Sequence, residues 1–185
     1  LDAQIEKILD ALEASGKADN TYIFFTSDHG LAVGRHGFIG KQNPYEHSVK
    51  PPLILVGPGI PANQKVNSLA YLQDLMPTAL DLAGIAKPGY VEFQSLMPLV
   101  KGEKPENYPS IYNAYINYQR LIRKGDYKLI VYPKVDKVML FNLAEDPLEL
   151  NDLASQPDYK EKVDELLSEL KQKMEHYDDP LELNL

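Results

Sequence analysis

The chain has 185 residues, 44% of them apolar, no cysteine, and a formal net charge of −8. Without cysteine, disulfides and thiolate metal sites are excluded, and without a long uncharged apolar run so is a membrane-spanning helix. The acidic excess lies in the tail: from Glu145 onward there are 13 acidic and 4 basic residues, against 14 and 15 in residues 1–144. No basic stripe or aromatic–basic platform supports nucleic-acid binding.

Residues 2–15 carry Ile5, Ile8, Leu9 and Leu12 at helical spacing and close at Gly16, which predicts an amphipathic helix with a glycine stop. Leu1 opens directly in this pattern with no initiator Met or signal sequence, so a fragment or processed piece is expected. Residues 21–27 and 53–56 read as buried strands, the second bracketed by Pro51-Pro52 and Gly57-Pro58-Gly59. Helix, strand, loop and strand in that order predict a mainly parallel sheet with helical crossovers. Residues 66–70 read as extended, and Asp74 as the N-cap of a helix running to about Ala83, with Gly84 as its stop.

Residues 101–109 (KGEKPENYP) are polar and contain proline, which sets a boundary there: residues 1–102 as one unit and 103–185 as a second. Beyond it, β-like runs at 110–116, 119–122, 127–132 and 138–142 alternate with turn signals, as in an antiparallel meander. Residues 158–177 place Tyr159, Val163, Leu166, Leu167, Leu170 and Met174 on one stripe of a long helix. The expected architecture is therefore α/β, followed by a four-stranded antiparallel sheet covered by one helix.

The most informative stretch is TYIFFTSDHGLAVGRHGFIGK, residues 21–41. A β-rich run delivers Asp28 and His29 at its carboxyl end, where open α/β sheets bind ligands. Glycines at 30, 34, 37 and 40 let the backbone approach whatever is held. A carboxylate beside an imidazole suits a metal site or acid–base chemistry, and Lys41 can return a positive charge to the same place. Asp-His-Gly alone is equally compatible with a turn.

The continuation through Gly40-Lys41-Gln42-Asn43-Pro44-Tyr45-Glu46 into the apolar run 53–56 decides between them. The chain here resembles the sulfatase family, of alkaline-phosphatase-like fold, with its S-D-[NH]-G segment, G-K-x-x-x-Y-E and following strand. Residues 74–84 and 93–99 resemble the family's closing D-L-x-P-T and G-x-S-L-x-P-L segments, with Phe93 and Gln94 departing from the second. Residues 140–154 resemble the L-Y-D-L-x-x-D-P-x-E-x-x-N-L segment of its C-terminal subdomain.

The resemblance implies the C-terminal part of the catalytic α/β domain followed by a small antiparallel subdomain. It implies Asp28 as a metal ligand, His29 as a ligand or neighbour of the sulfate, and Lys41 as the group that contacts the sulfate and assists the leaving oxygen. Arg35 and His36 could touch the rest of the substrate, and Tyr45 and Glu46 read as structural. The expected metal is a divalent cation, calcium before magnesium, and the expected nucleophile is a formylglycine made in a C/S-x-P-x-R motif, which this chain lacks. The expected partners are a sulfated small molecule or glycan and the remainder of the catalytic domain. The family also implies periplasmic or secreted placement, although the sequence itself leaves the compartment open.

Two competing readings stand beside this one. The first is a phosphoryl or phosphonate ester hydrolase on the same scaffold; the two-zinc phosphodiesterases among these need a further downstream histidine, and after His47 only His176 remains. The second is a non-catalytic fragment serving assembly or carbohydrate binding.

Overall fold

The computed structural model describes residues 1–183. Helix α1 (Asp2–Ala14) ends as expected, with Gly16 in the left-handed region at φ +69°. None of its residues is buried, and Ile8 and Leu9 face solvent. Strand β1 (Ile23–Thr26), the one-turn helix α2 (Glu46–Val49) and strand β2 (Leu53–Val56) follow.

β1 and β2 pair antiparallel, with Ile23 opposite Val56 and Thr26 opposite Leu53, which corrects the parallel arrangement expected from the element order. The cause is where the connection goes. A parallel partner needs a crossover that carries the chain back to the start of the first strand. Here residues 27–52 stay at the carboxyl end of β1, and the Thr26 hydroxyl donates to the Pro52 carbonyl at 2.7 Å. The chain therefore re-enters from the same end and runs the other way. The pair is also more open than two buried strands would be: Phe25, Leu53, Ile54 and Val56 are all exposed.

Residues 66–70 form no strand. Helix α3 (Leu75–Leu82) starts after Asp74, whose carboxylate makes no cap hydrogen bond. It accepts instead from the Tyr71 amide (2.8 Å), the Gln94 amide (3.0 Å) and the Tyr108 hydroxyl (2.5 Å). Asp74 is fully buried, and a buried carboxylate needs several donors. Three distant segments are tied together by one side chain as a result. The short helix α4 (Met97–Val100) leads into the polar stretch 101–109, which is less of a free linker than its composition suggests because Asn107 and Tyr108 are buried.

Strands β3 (Ile111–Tyr115), β4 (Gln119–Lys124), β5 (Tyr127–Tyr132) and β6 (Lys137–Asn142) form an antiparallel sheet in that order. Alternation divides its faces. Ile122, Leu129, Val131 and Leu140 pack beneath helix α5 (Lys160–His176) against Leu166, Leu170 and Met174. Leu121, Ile130 and Phe141 face the other way, and the residue that covers them is Tyr45 from the loop before α2.

The chain after α5 folds back. Asp179 takes a two-point ion pair from Arg120, Nε to Oδ2 at 2.6 Å and Nη2 to Oδ1 at 2.9 Å, and accepts a further hydrogen bond from the Tyr112 hydroxyl. The Arg120 guanidinium beside it holds the Asp179 carboxyl down at about 2, below its ordinary 3.8. A depressed acid stabilises the fold above its unfolded value and loses that contribution as pH falls through its folded value. Urea midpoints should therefore drop as pH falls from 3.8 to about 2. Asp179→Asn should lower the midpoint at neutral pH and converge on the parent protein at the acid end.

Candidate functional site

β1 stops at Thr26, and the next residues are fixed by their own short polar contacts. The Ser27 hydroxyl donates to the His29 carbonyl at 3.0 Å, and the His29 amide donates to Asp28 Oδ1 at 2.7 Å. Asp28 Oδ2 forms an ion pair with Lys41 Nζ. The carboxylate and the ammonium thus meet across the glycine loop, as their pattern predicts. The Lys41 hydrogen bond, then that of the His29 amide, holds the Asp28 carboxyl below its ordinary value. Both side chains are accessible, at 73% and 42% exposure. An ion pair this wet adds little stability and leaves both groups open to a ligand.

His29 is oriented from the opposite side of the loop. Its Nδ1 lies 3.1 Å from the Ser48 carbonyl. A carbonyl only accepts, so Nδ1 donates, and in the neutral ring the free lone pair is then on Nε2, the arrangement in which a backbone partner fixes the tautomer of a ligating imidazole. The Gly30 amide donates to the same carbonyl at 3.1 Å. Gly30 has to be glycine, because a Cβ there would overlap the His47 carbonyl oxygen.

The structure sends the other two candidates elsewhere. His36 sits at φ +50° with its ring stacked on Tyr45, centroids 3.9 Å apart, and its Nε2 donates to the Leu148 carbonyl at 3.0 Å. Arg35 is exposed. A cavity of about 1600 Å³ is lined by His29 and Lys41 together with Asn113, Tyr115 and Gln119 from the sheet, and neither Arg35 nor His36 borders it. Burial, then the neighbouring His36 and Arg35, lowers the His47 imidazole from its ordinary value.

Asp28 and His29 are the residues here that suit a cation, one through a hard carboxylate oxygen and one through imidazole nitrogen. Among the described residues no three His, Asp or Glu side chains cluster as a metal site. Sequence reasoning missed three residues that support the loop: Arg123, Lys128 and Glu149. Lys128 pairs with both Glu46 and Glu149, and Arg123 with Glu46. A usable signal was present, since Lys128 shares its strand face with the apolar Ile130 and Glu149 lies within the D-P-x-E segment.

Residues 34–176 match the family model described as N-sulphoglucosamine sulphohydrolase, C-terminal. The chain is 31% identical to N-acetylglucosamine-6-O-sulfatase of Bacteroides thetaiotaomicron, across 97% of this chain and 34% of that protein. It is 38% identical to choline-sulfatase of Rhizobium meliloti, across 85% and 31%. Among solved structures, a protein in complex with its substrate D-glucosamine-2-N,6-O-disulfate superposes with a TM-score of 0.89 at 30% identity, across 97% of this chain and 39% of the other. The phosphonate monoester hydrolase of Agrobacterium radiobacter superposes with a TM-score of 0.76 at 27% identity, across 93% and 39%. The chain spans about a third of the length of these curated relatives.

Gly30→Ala should disturb the exit from β1 and lower the thermal midpoint. Gly89→Ala, where an added Cβ meets nothing within 4 Å, should leave it within a degree or so, by the usual small effect of open surface positions. Differential scanning fluorimetry compares the two directly.

Proposed function

This chain belongs to the sulfatases, matching the C-terminal portion of a family on the alkaline-phosphatase-like scaffold, and from that premise we propose that it completes the active site of an enzyme that hydrolyses sulfate esters. The observation that carries the reading is the ion pair of Asp28 with Lys41 at the carboxyl end of β1, with the His29 amide donating to the same carboxylate. Lys41 is the group we assign to the leaving oxygen. When the sulfur–oxygen bond to the alcohol breaks, negative charge develops on that oxygen. An ammonium in a cleft neutralises it or passes it a proton. Asp28, ionised because Lys41 and the His29 amide hold its pKa down, keeps the ammonium at the site between turnovers.

A hydrated formylglycine from the remainder of the catalytic domain would supply the oxygen nucleophile. Asp28 and His29 would hold one side of a divalent cation, calcium by the family resemblance, whose charge would offset that of the sulfate. Calcium takes about six to eight ligands, so the other donors would have to come from the remaining domain. His29 fits such a role on this chain's own geometry, because its Nδ1 is committed to Ser48 and only Nε2 is free to bind. The exposed apolar residues of α1, β1 and β2 support docking against that domain, since such patches mark interaction surfaces. The sulfated amino sugar on the structural neighbour and the glucosamine specificity of the first relative favour a sulfated glycan as substrate.

In the intact enzyme, Lys41→Ala should lower kcat/KM about 100-fold or more, with the larger loss for alkyl or sugar sulfates than for aryl sulfates. The isolated 185-residue chain should show no turnover of either. A loss of threefold or less, by the usual scatter of such measurements, would remove Lys41 from the chemistry. A phosphonate monoester turned over faster than the sulfate ester would move the protein to the phosphonate hydrolase class. Dialysis against a chelator should abolish activity and calcium should restore it; full activity after chelation refutes the metal assignment.

A further inference from the structure

β4 and β5 place Arg123 directly opposite Lys128 on one face of the sheet. Like charges in that relation repel, and Lys128 is 0% exposed, so an anion has to enter. It comes from the loop that carries Lys41. Glu46 Oε2 lies 3.0 Å from Arg123 Nη1, and Oε1 lies 3.0 Å from Lys128 Nζ. The Lys128 ammonium also donates to the Pro44 carbonyl at 3.0 Å and pairs with Glu149. Glu149 in turn accepts the Glu46 amide at 2.7 Å. Burial alone would raise the Glu46 carboxyl, but Lys128, Arg123 and Lys50 hold it below its ordinary value. At Glu149 burial wins and the carboxyl is raised.

Residues 44–46 are therefore gripped at both backbone and side chain, with Tyr45 seated among Leu121, Ile130 and Phe141. Both ends of this short segment carry the chemistry. Upstream, the Asn43 amide donates to the Lys41 carbonyl at 2.9 Å and its side-chain amide to the Gly40 carbonyl at 3.3 Å, so the turn bearing Lys41 continues rigidly from the grip. Downstream, α2 delivers the Ser48 carbonyl to His29 and Gly30. Buried ion pairs are poor sources of stability compared with apolar packing of the same volume, but they can fix a geometry.

We propose that Lys128, Arg123 and Glu149 are positioning residues for the sulfate-ester reaction, acting through Glu46 to set Lys41 at the leaving oxygen and the Ser48 carbonyl at His29. The proposal rests on the reading of Lys41 given above.

The test is a double-mutant cycle in the intact enzyme, assayed with p-nitrophenyl sulfate and a simple alkyl sulfate. Lys128→Met should lower kcat about 10- to 100-fold at nearly constant KM, with the larger loss on the alkyl ester. In a Lys41→Ala background the same change should cost about threefold or less, because the group it positions is gone. Additive losses, or a Lys128→Met enzyme as active as the parent beside a damaged Lys41→Ala enzyme, overturn the positioning role alone. A fully active Lys41→Ala enzyme overturns the catalytic reading and this proposal with it. If Lys128→Met does not fold, Arg123→Gln, at a partly exposed guanidinium, runs through the same cycle. Its expected loss is about three- to tenfold, again vanishing without Lys41.

Discussion

One carboxylate held between two cations governs how this molecule is put together. Glu46 leaves a loop of the first half and ends between Arg123 and Lys128 of the second. Neither cation sits comfortably without it: they face each other across adjacent strands, and one has no access to water. Burying an unpaired charge is far costlier than burying a paired one. The loop thus supplies the anion that lies between Arg123 and Lys128, while Glu149 gives Lys128 a second carboxylate partner.

The same constraint explains the unequal quality of the two faces of that sheet. Under α5 the core is apolar and supplied by a continuous helical stripe, with ion pairs of Arg120 and Lys124 at its margin. On the other face the cover is a single aromatic ring, Tyr45, with His36 stacked outside it and charged groups around it. An apolar face can be completed by any helix of suitable pattern. A face built from Arg123, Lys128 and a tyrosine-sized gap accepts a far narrower range of partners. The first half of the chain, by contrast, leaves α1 and the β1–β2 pair largely uncovered, so order in this region comes from the site-bearing loop rather than from a core of its own.

How much of this could be read beforehand depends on how local each signal was. The 3.6-residue stripe from Tyr159 to Met174 and the alternation through Tyr127–Tyr132 encode their elements within a few turns or pleats, and both appear where expected. Asp28 and Lys41 come together as the glycine spacing and family pattern suggest, and His29 follows Asp28 directly in the chain. The direction of β2 was not legible. It depends on which end of β1 the intervening residues return to, and that is fixed by contacts such as Gly30 against His47 rather than by any strand pattern. The one-turn helices α2 and α4 are too short to show a period. A lysine in an alternating strand reads as the solvent side, and at Lys128 the signal against that reading is the apolar Ile130 on the same strand face, which Tyr45 of the loop covers. His36 sits at a positive φ and stacks on Tyr45, a contact with no signal in the local sequence.

The grip of Lys128 and Glu149 on residues 44–46 also bears on how such a subdomain could be exchanged between related proteins. A graft of the sheet and its helix alone would arrive with two cations facing each other and a vacant tyrosine socket, and it would meet a foreign loop cut to a different lock. The transplantable unit is discontinuous: the turn from Gly40 to Ser48 has to travel with the strands, although some sixty residues separate them along the chain.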